Sequence, residues 1–117
     1  MKTIIYHNPR CSKSREGLCA LEDLGQDISI RNYLVDPPQF DEIEHLLQLL
    51  NVEPLAIIRQ KEQIFLEKFK GKTLSRKEWI EAMVEYPILI ERPIVVKGNK
   101  AVVGRPPQLI IDFLKQQ

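Results

Sequence analysis

The chain has 117 residues, of which 17 are lysine or arginine and 16 are aspartate or glutamate, so its formal net charge at pH 7 is +1. This length predicts a single domain over residues 1–117, and the interspersed charges exclude a long-range field that would attract nucleic acid or an anionic membrane. No apolar run approaches the roughly 18 residues that span a bilayer, and the N-terminal residues are too polar for a signal peptide, so we expect a soluble cytoplasmic protein.

The first part of the chain predicts a strand, a helix and a second strand. Residues 2–6 form a short β-rich run, and an Asn-Pro turn signal after it leads to Ser12, which can cap a helix. Leucines at helical spacing follow in residues 14–24, and Gly25 stands where a helix C-terminus commonly uses glycine. Residues 27–34 then alternate between apolar and polar side chains, as in a half-buried strand. This order predicts a βαβ unit.

The middle of the chain, about residues 40–86, is predicted to be a helical insertion. Apolar side chains at helical spacing predict an amphipathic helix near residues 43–50 and two shorter helices after it. Ser75 and Glu78 have the spacing of a capping box, which opens a further helix that ends before Pro87.

The last part of the chain predicts a β-hairpin and a closing helix. Residues 93–103 contain two β-rich runs joined by a Gly-Asn turn, and residues 106–117 begin with two prolines and continue as an apolar helix. No repeat, linker or low-complexity tract argues for a second domain. The complete order predicts an α/β protein with a thioredoxin-like fold, in which the helical insertion lies between the βαβ and ββα parts.

Cys11 is the strongest candidate for a chemical role. It lies between the end of a predicted strand and the start of a helix, where backbone N–H groups and the helix dipole favour an anion. Such positions can lower a cysteine pKa to roughly 3.5 to 7.5, and the neighbouring Arg10, Lys13 and Arg15 would act in the same direction. The alternative is an inert core thiol, but a loop rich in arginine, lysine and serine is a poor apolar core.

The chain has no evident second thiol that could resolve Cys11. Cys19 lies in the same predicted helix about 12 Å further along, whereas a disulfide needs Cα atoms within about 7 Å, so we assign Cys19 to helix packing. A Cys-x-x-Cys motif would place its second thiol at Ser14, and the Cys-x5-Arg loop of a tyrosine phosphatase would place its arginine at Gly17. A redox cycle at Cys11 would therefore need an external thiol.

The sequence HNPRCSKSR in residues 7–15 resembles the active-site loop of the glutaredoxin-coupled arsenate reductases. The resemblance extends over essentially the whole chain, through the Ile-Arg pair at Arg59, the Glu-Arg-Pro-Ile segment at Arg92 and the Gly-Arg-Pro segment at Arg105. It implies that Cys11 is the nucleophile and that these three arginines bind the oxyanion. Guanidinium groups suit this role because they meet tetrahedral oxyanions in a bidentate geometry.

The resemblance also implies a reaction cycle. The Cys11 thiolate would attack arsenate, glutathione would join the adduct as co-substrate, and the partner protein glutaredoxin would take the glutathione so that arsenite is released. We expect no bound cofactor and no metal, because the chain has no metal-ligand spacing and no glycine-rich phosphate loop.

Four further residues are supporting candidates. Pro93 forces an extended backbone at the residue before it and resembles the cis-proline that borders thioredoxin-fold active sites. Ser14 could donate a hydrogen bond to sulfur, His7 could support the thiolate by a hydrogen bond or as a cation, and Arg15 adds positive charge.

The sequence is also compatible with a substrate other than arsenate and with two other functions. Arg10 and Lys13 stand where the best-known family members carry smaller, uncharged residues, so the pocket could admit something other than arsenate. A glutathione-dependent reductase of mixed disulfides would need Cys11 but not Arg59 or Arg105. A redox-sensing regulator that binds RNA polymerase would share the fold, although such regulators typically carry a Cys-x-x-Cys motif.

Overall fold

The structure is a computed structural model that describes residues 2–116. Its described residues form two compact units, one made of the residues up to Asp36 together with those from Arg92 onward, and the other of Pro37–Glu91. The helices are α1 (Ser12–Asp23), α2 (Phe40–Leu50), α3 (Gln63–Lys68), α4 (Arg76–Glu85) and α5 (Gln108–Lys115). The strands are β1 (Thr3–His7), β2 (Ile28–Asn32), β3 (Ile94–Lys97) and β4 (Lys100–Val103).

The first unit contains the sheet, with α1 and α5 as its helices. The strand order is β2-β1-β3-β4, with β1 parallel to β2 and antiparallel to β3, and β3 antiparallel to β4. Four residues with no exposed surface form the core of this unit: Ile5, Leu21, Val95 and Ile110. Each such side chain contributes about 1.5–3 kcal/mol by leaving water, and together they fix α1 and α5 against the sheet. The N-terminal end of α1 therefore has a fixed position beside the end of β1.

The second unit is helical. Helix α2 buries the side chains at 43, 46 and 47 as its amphipathic pattern predicts, and short 3-10 helices occupy Pro54–Ile57 and Pro87–Leu89. The predicted capping box opens α4: the Glu78 N–H donates to Ser75 Oγ at 3.2 Å, and the Ser75 N–H donates to Glu78 Oε1 at 2.9 Å. Trp79 of the same helix stacks on Phe65, with ring centroids 6.0 Å apart.

The start of α1 differs by one residue from the prediction. Gly25 follows the helix with φ +68°, and the β3–β4 hairpin turns through Gly98 with φ +64°, both as expected from glycine at these positions. The capping position, however, is occupied by Cys11 and not by Ser12, and Cys11 makes no side-chain capping bond. The reason is the Asn-Pro turn, in which the Cys11 N–H donates to the Asn8 carbonyl at 3.0 Å, so that the helix begins directly after the cysteine.

None of the helices within residues 2–116 is both long enough and apolar enough to cross a bilayer.

Candidate active site

Cys11 occupies the N-terminal cap of α1, immediately beyond the loop that leaves β1. Its backbone is extended, with φ −94° and ψ 122°, and its thiol is partly exposed. The backbone N–H groups of the first turn of α1 follow it and have no partners within the helix. The sequence therefore places a nucleophilic atom at the positive end of a 12-residue helix.

The pKa of Cys11 lies below its ordinary value. Burial acts to raise this pKa, but it is outweighed by hydrogen bonds to the sulfur from the Ser14 backbone, the Arg92 side chain and the Lys13 backbone, and by the charge of Arg92. Each of these groups stabilises the thiolate more than the thiol. The site thus provides an activated nucleophile beside a guanidinium group.

A buried hydrogen-bond network connects the loop before Cys11 to the first turn of α1. Ser14 has no exposed surface, and its Oγ lies 2.8 Å from Nδ1 of His7 and accepts a hydrogen bond from the Asn8 N–H at 3.0 Å. The Asn8 side chain in turn accepts from the Arg10 N–H at 3.0 Å. The predicted hydrogen bond from Ser14 to sulfur comes from its backbone, because its hydroxyl is directed to His7 and Asn8.

Burial lowers the pKa of His7, and the charge of Arg15 lowers it further, although a hydrogen bond involving the Ser14 backbone acts in the opposite direction. The neutral imidazole is therefore favoured near pH 7, which speaks against the cationic role considered for His7 and leaves the hydrogen-bonding role. Arg15 is held at the loop by a hydrogen bond from its Nη1 to the Pro9 carbonyl at 2.9 Å.

Two arginines of this unit lie in the segments that flank the hairpin. Arg92 is 7% exposed and precedes a cis peptide bond to Pro93, as expected from the resemblance. Arg105 is half-buried, and its Nη1 donates to the Arg92 carbonyl at 3.4 Å, while the Gly104 N–H donates to the Pro93 carbonyl at 2.8 Å. A second cis bond joins Arg105 to Pro106, which the sequence analysis missed.

Glycines make this close approach possible. A Cβ atom at Gly17 of α1 would lie 2.8 Å from Cγ of Pro93 and 3.0 Å from Cδ1 of Ile110. A Cβ at Gly104 would lie 2.5 Å from the same Cδ1 atom and 3.2 Å from Cγ of Pro93. Only hydrogen fits at either position, so these two glycines let α1 and the Gly104 segment pack directly on Pro93.

Arg59 belongs to the helical unit, where two carboxylates bind it. Its Nε donates to Glu62 Oε1 at 3.0 Å and its Nη1 donates to Glu91 Oε1 at 2.9 Å. Burial acts to lower the pKa of Arg59, but Glu62 and Glu91 raise it above its ordinary value. Neither carboxylate was predicted from the sequence, although the (i, i+3) spacing of Arg59 and Glu62 is a local signal for such a pair.

The assignment of Cys19 to helix packing was wrong, because its side chain is exposed on α1. The apolar side of this helix is carried instead by Gly17 and Leu21, which are buried. Within residues 2–116, no three histidine, cysteine or acidic side chains come together as a group that could hold a metal ion.

Comparisons with known proteins identify the family of this chain. The model of the ArsC family matches residues 6–113, which is most of the chain. The chain belongs to the ArsC family. Its similarity to a solved arsenate reductase of Vibrio cholerae, with 43% identity, a TM-score of 0.92 and coverage of 96% of this chain and 97% of the other, confirms the predicted thioredoxin-like fold.

Two further relatives are similar to the chain over nearly its whole length. An arsenate reductase of Haemophilus influenzae is 38% identical over 116 residues, covering 97% of this chain and all of the relative. The uncharacterized protein YfgD of Escherichia coli strain K12 is 41% identical over 112 residues, covering 94% of each chain. The ArsC assignment therefore applies to the whole described structure and not to one motif.

Proposed function

We propose that the protein is an arsenate reductase in which Cys11 is the nucleophile and glutathione with glutaredoxin supplies the electrons. The observation that carries this proposal is the contact between a thiol of lowered pKa and the buried guanidinium of Arg92. Arsenate has about two negative charges near neutral pH, which a thiolate alone would repel. A buried arginine offsets this repulsion and can bind two oxygens at once.

In the proposed reaction, two thiols reduce arsenate to arsenite through a covalent adduct on Cys11. The Cys11 thiolate attacks arsenic(V) and forms a sulfur–arsenic bond, while an arsenate oxygen leaves as water. The glutathione thiol replaces a second oxygen, also released as water. A glutaredoxin thiolate attacks the glutathione sulfur, so that a mixed disulfide forms while the electron pair of the broken sulfur–arsenic bond reduces arsenic(V) to arsenic(III). Water then releases arsenite and regenerates Cys11.

The oxyanion ligands of this proposal are Arg92, Arg105 and Arg59. The hydrogen bond from Arg105 Nη1 to the Arg92 carbonyl holds the Arg105 guanidinium beside Arg92. Arg59 is included on the resemblance alone, and its pairing with Glu62 and Glu91 means that part of its charge is already neutralised. A cycle that depends on glutathione and glutaredoxin also fits the reducing cytoplasm.

The test is NADPH consumption in an assay that couples arsenate reduction to glutathione, glutaredoxin and glutathione reductase. We expect arsenate-dependent turnover that is abolished by Cys11→Ser and lowered roughly 100-fold by Arg92→Met, because one preorganised donor to a reacting oxyanion is worth about this factor. Cys19→Ser is the matched control and should keep its activity, since Cys19 is exposed. Absence of turnover in the folded wild-type protein would exclude arsenate as the substrate.

A further inference from the structure

The thiol that resolves Cys11 must come from outside the chain. The other cysteine of the described residues, Cys19, lies exposed on α1 about 12 Å of helical rise from Cys11. A second reactant must therefore approach the partly exposed Cys11 sulfur from solvent. The need for this reactant rests on the proposed function, but the surface that it meets is visible in the structure.

This surface is marked by three exposed cations, Arg10, Lys13 and Arg15, which we call the rim cations. Arg10 directly precedes Cys11, and its backbone is fixed by the hydrogen bond to the Asn8 side chain. Lys13 follows in the first turn of α1 with a side chain that is 48% exposed. Arg15 lies one turn after Cys11 on the same side of the helix, and its guanidinium is held against the loop at Pro9.

The rim has little opposing charge. Glu16 pairs with Lys13 at 3.6 Å, with both side chains about half exposed, so that pair is weak and screened. Arg10 and Arg15 make no ion pair that the structure shows within residues 2–116. The positive charge is therefore local, since the whole chain has a net charge of only +1.

The cations around Cys11 are thus arranged at two depths. Arg92 is 7% exposed and binds the sulfur itself, which suits a small oxyanion that must enter the site. The rim cations are exposed and flank Cys11 in the loop and the first turns of α1, where their charges stay in water and are screened. A larger thiol whose sulfur approaches Cys11 would bring its remaining polar groups close to the rim cations.

We infer that the rim cations recognise the carboxylates of the resolving thiol, so that the protein selects a small anionic thiol over neutral or cationic ones. Glutathione has this chemistry, with two carboxylates and one ammonium group around its sulfur. The interaction is mostly electrostatic and acts on the rate of encounter, because the partners are exposed and separated by water. It depends on salt for the same reason.

The test uses disulfide exchange, which reports the approach of a reactant to Cys11 without arsenate. The protein with Cys19→Ser is mixed with dithiobis(nitrobenzoate), which has a carboxylate on each ring, or with the uncharged dithiodipyridine. The Cys11 thiolate attacks one sulfur, a mixed disulfide forms and a coloured aromatic thiolate leaves. Because both probes respond to the nucleophilicity of Cys11, the ratio of their rate constants isolates the effect of probe charge.

The variant Arg10→Ala,Lys13→Ala removes two rim cations, and Lys100→Ala,Lys115→Ala removes two exposed lysines elsewhere in the same unit. We expect the anionic-to-neutral ratio to fall about threefold to tenfold in the rim variant at low ionic strength, and the loss to shrink in high salt. The lysine control has the same net charge as the rim variant and should keep a ratio near that of the parent. Equal ratios in all three proteins, or an equal fall in both variants, would overturn the inference.

A second measurement separates small thiols from acidic proteins. In the arsenate assay, the rim variant should lose more kcat/KM for glutathione than for glutathione monoethyl ester, which has one carboxylate fewer. A loss confined to the glutaredoxin dependence would instead assign the rim to a protein partner and overturn the inference. Disulfide ratios that respond to the rim in a protein without arsenate turnover would overturn the proposed function alone, so the two failures are distinguishable.

Discussion

The Cys11 sulfur is supported by two backbone N–H groups of its own helix and by one buried side chain. Burial opposes the thiolate, and the Ser14 backbone, the Arg92 side chain and the Lys13 backbone outweigh it. The backbone donors are fixed by the start of α1 and would survive most substitutions. Arg92 is the one donor to sulfur that mutagenesis can remove without altering the helix.

Replacing Arg92 with methionine should raise the pKa of Cys11, because the change removes both a hydrogen bond and a positive charge from the thiolate. Ser14→Ala is the matched comparison, since it deletes the hydroxyl that contacts His7 and Asn8 but keeps the backbone donor to sulfur. Thiolate absorbance followed against pH, in a Cys19→Ser background, gives both pKa values. A larger rise in the Ser14 variant than in the Arg92 variant would mean that the hydroxyl, and not the arginine, controls the thiol.

The residues of this site were predictable where one local pattern identified them. Cys11 could be found because a strand, a turn and a helix start surround it with donors, and the resemblance added Arg92 and Arg105. Glu91 was not predicted as a partner of Arg59, because it lies 32 residues away in the sequence. Glu62 was missed although its (i, i+3) spacing was a local signal. The exposure of Cys19 was missed since apolar neighbours in a helix do not reveal which side each residue faces.

At the scale of secondary structure elements, α1 and α5 meet Pro93, just before β3, at positions where glycine is required. Replacing Gly104 with alanine would bring Cβ to 2.5 Å from Cδ1 of Ile110, so this change should destabilise the protein by about 1–3 kcal/mol. Ile110→Val removes that Cδ1 atom but keeps Cγ1, which would lie 2.7 Å from the new Cβ, so it should recover only part of the loss in the double variant. Urea unfolding of the two single variants and the double variant measures this coupling. Strictly additive losses would show that the crowding at Gly104 has another origin.

The boundaries of helices and turns could be predicted from neighbouring residues, whereas the contacts between elements could not. The capping box at Ser75, the glycine after α1 and the turn of the hairpin each involve residues within four positions, and each was predicted correctly. The packing of Gly17 and Gly104 on Pro93 joins three distant parts of the chain. A single sequence has no signal for such a contact beyond the presence of the small residues.

At the scale of the whole molecule, the element order alone predicted the thioredoxin-like fold, because a βαβ unit, a helical segment, a hairpin and a closing helix leave few ways to build one sheet. The near-neutral net charge predicts that the chain as a whole has no strong long-range field. It could not reveal the rim cations, since these depend on which charged side chains the start of α1 brings to one place.

The lowered pKa of Cys11 also makes the free energy of unfolding depend on pH. Between the folded pKa and the ordinary thiol value of about 8.5, the unfolded chain holds a proton that the folded protein has released, so stability rises with pH across this window. Above this pH window the gain in unfolding free energy is complete, and below the folded pKa it is lost.

The difference in unfolding free energy between Cys19→Ser and Cys11→Ser,Cys19→Ser should therefore increase with pH, with a slope of at most about 1.4 kcal/mol per pH unit for one proton. Urea titrations at a series of pH values measure the difference, and a difference that falls as pH rises would mean that folding raises the pKa of Cys11.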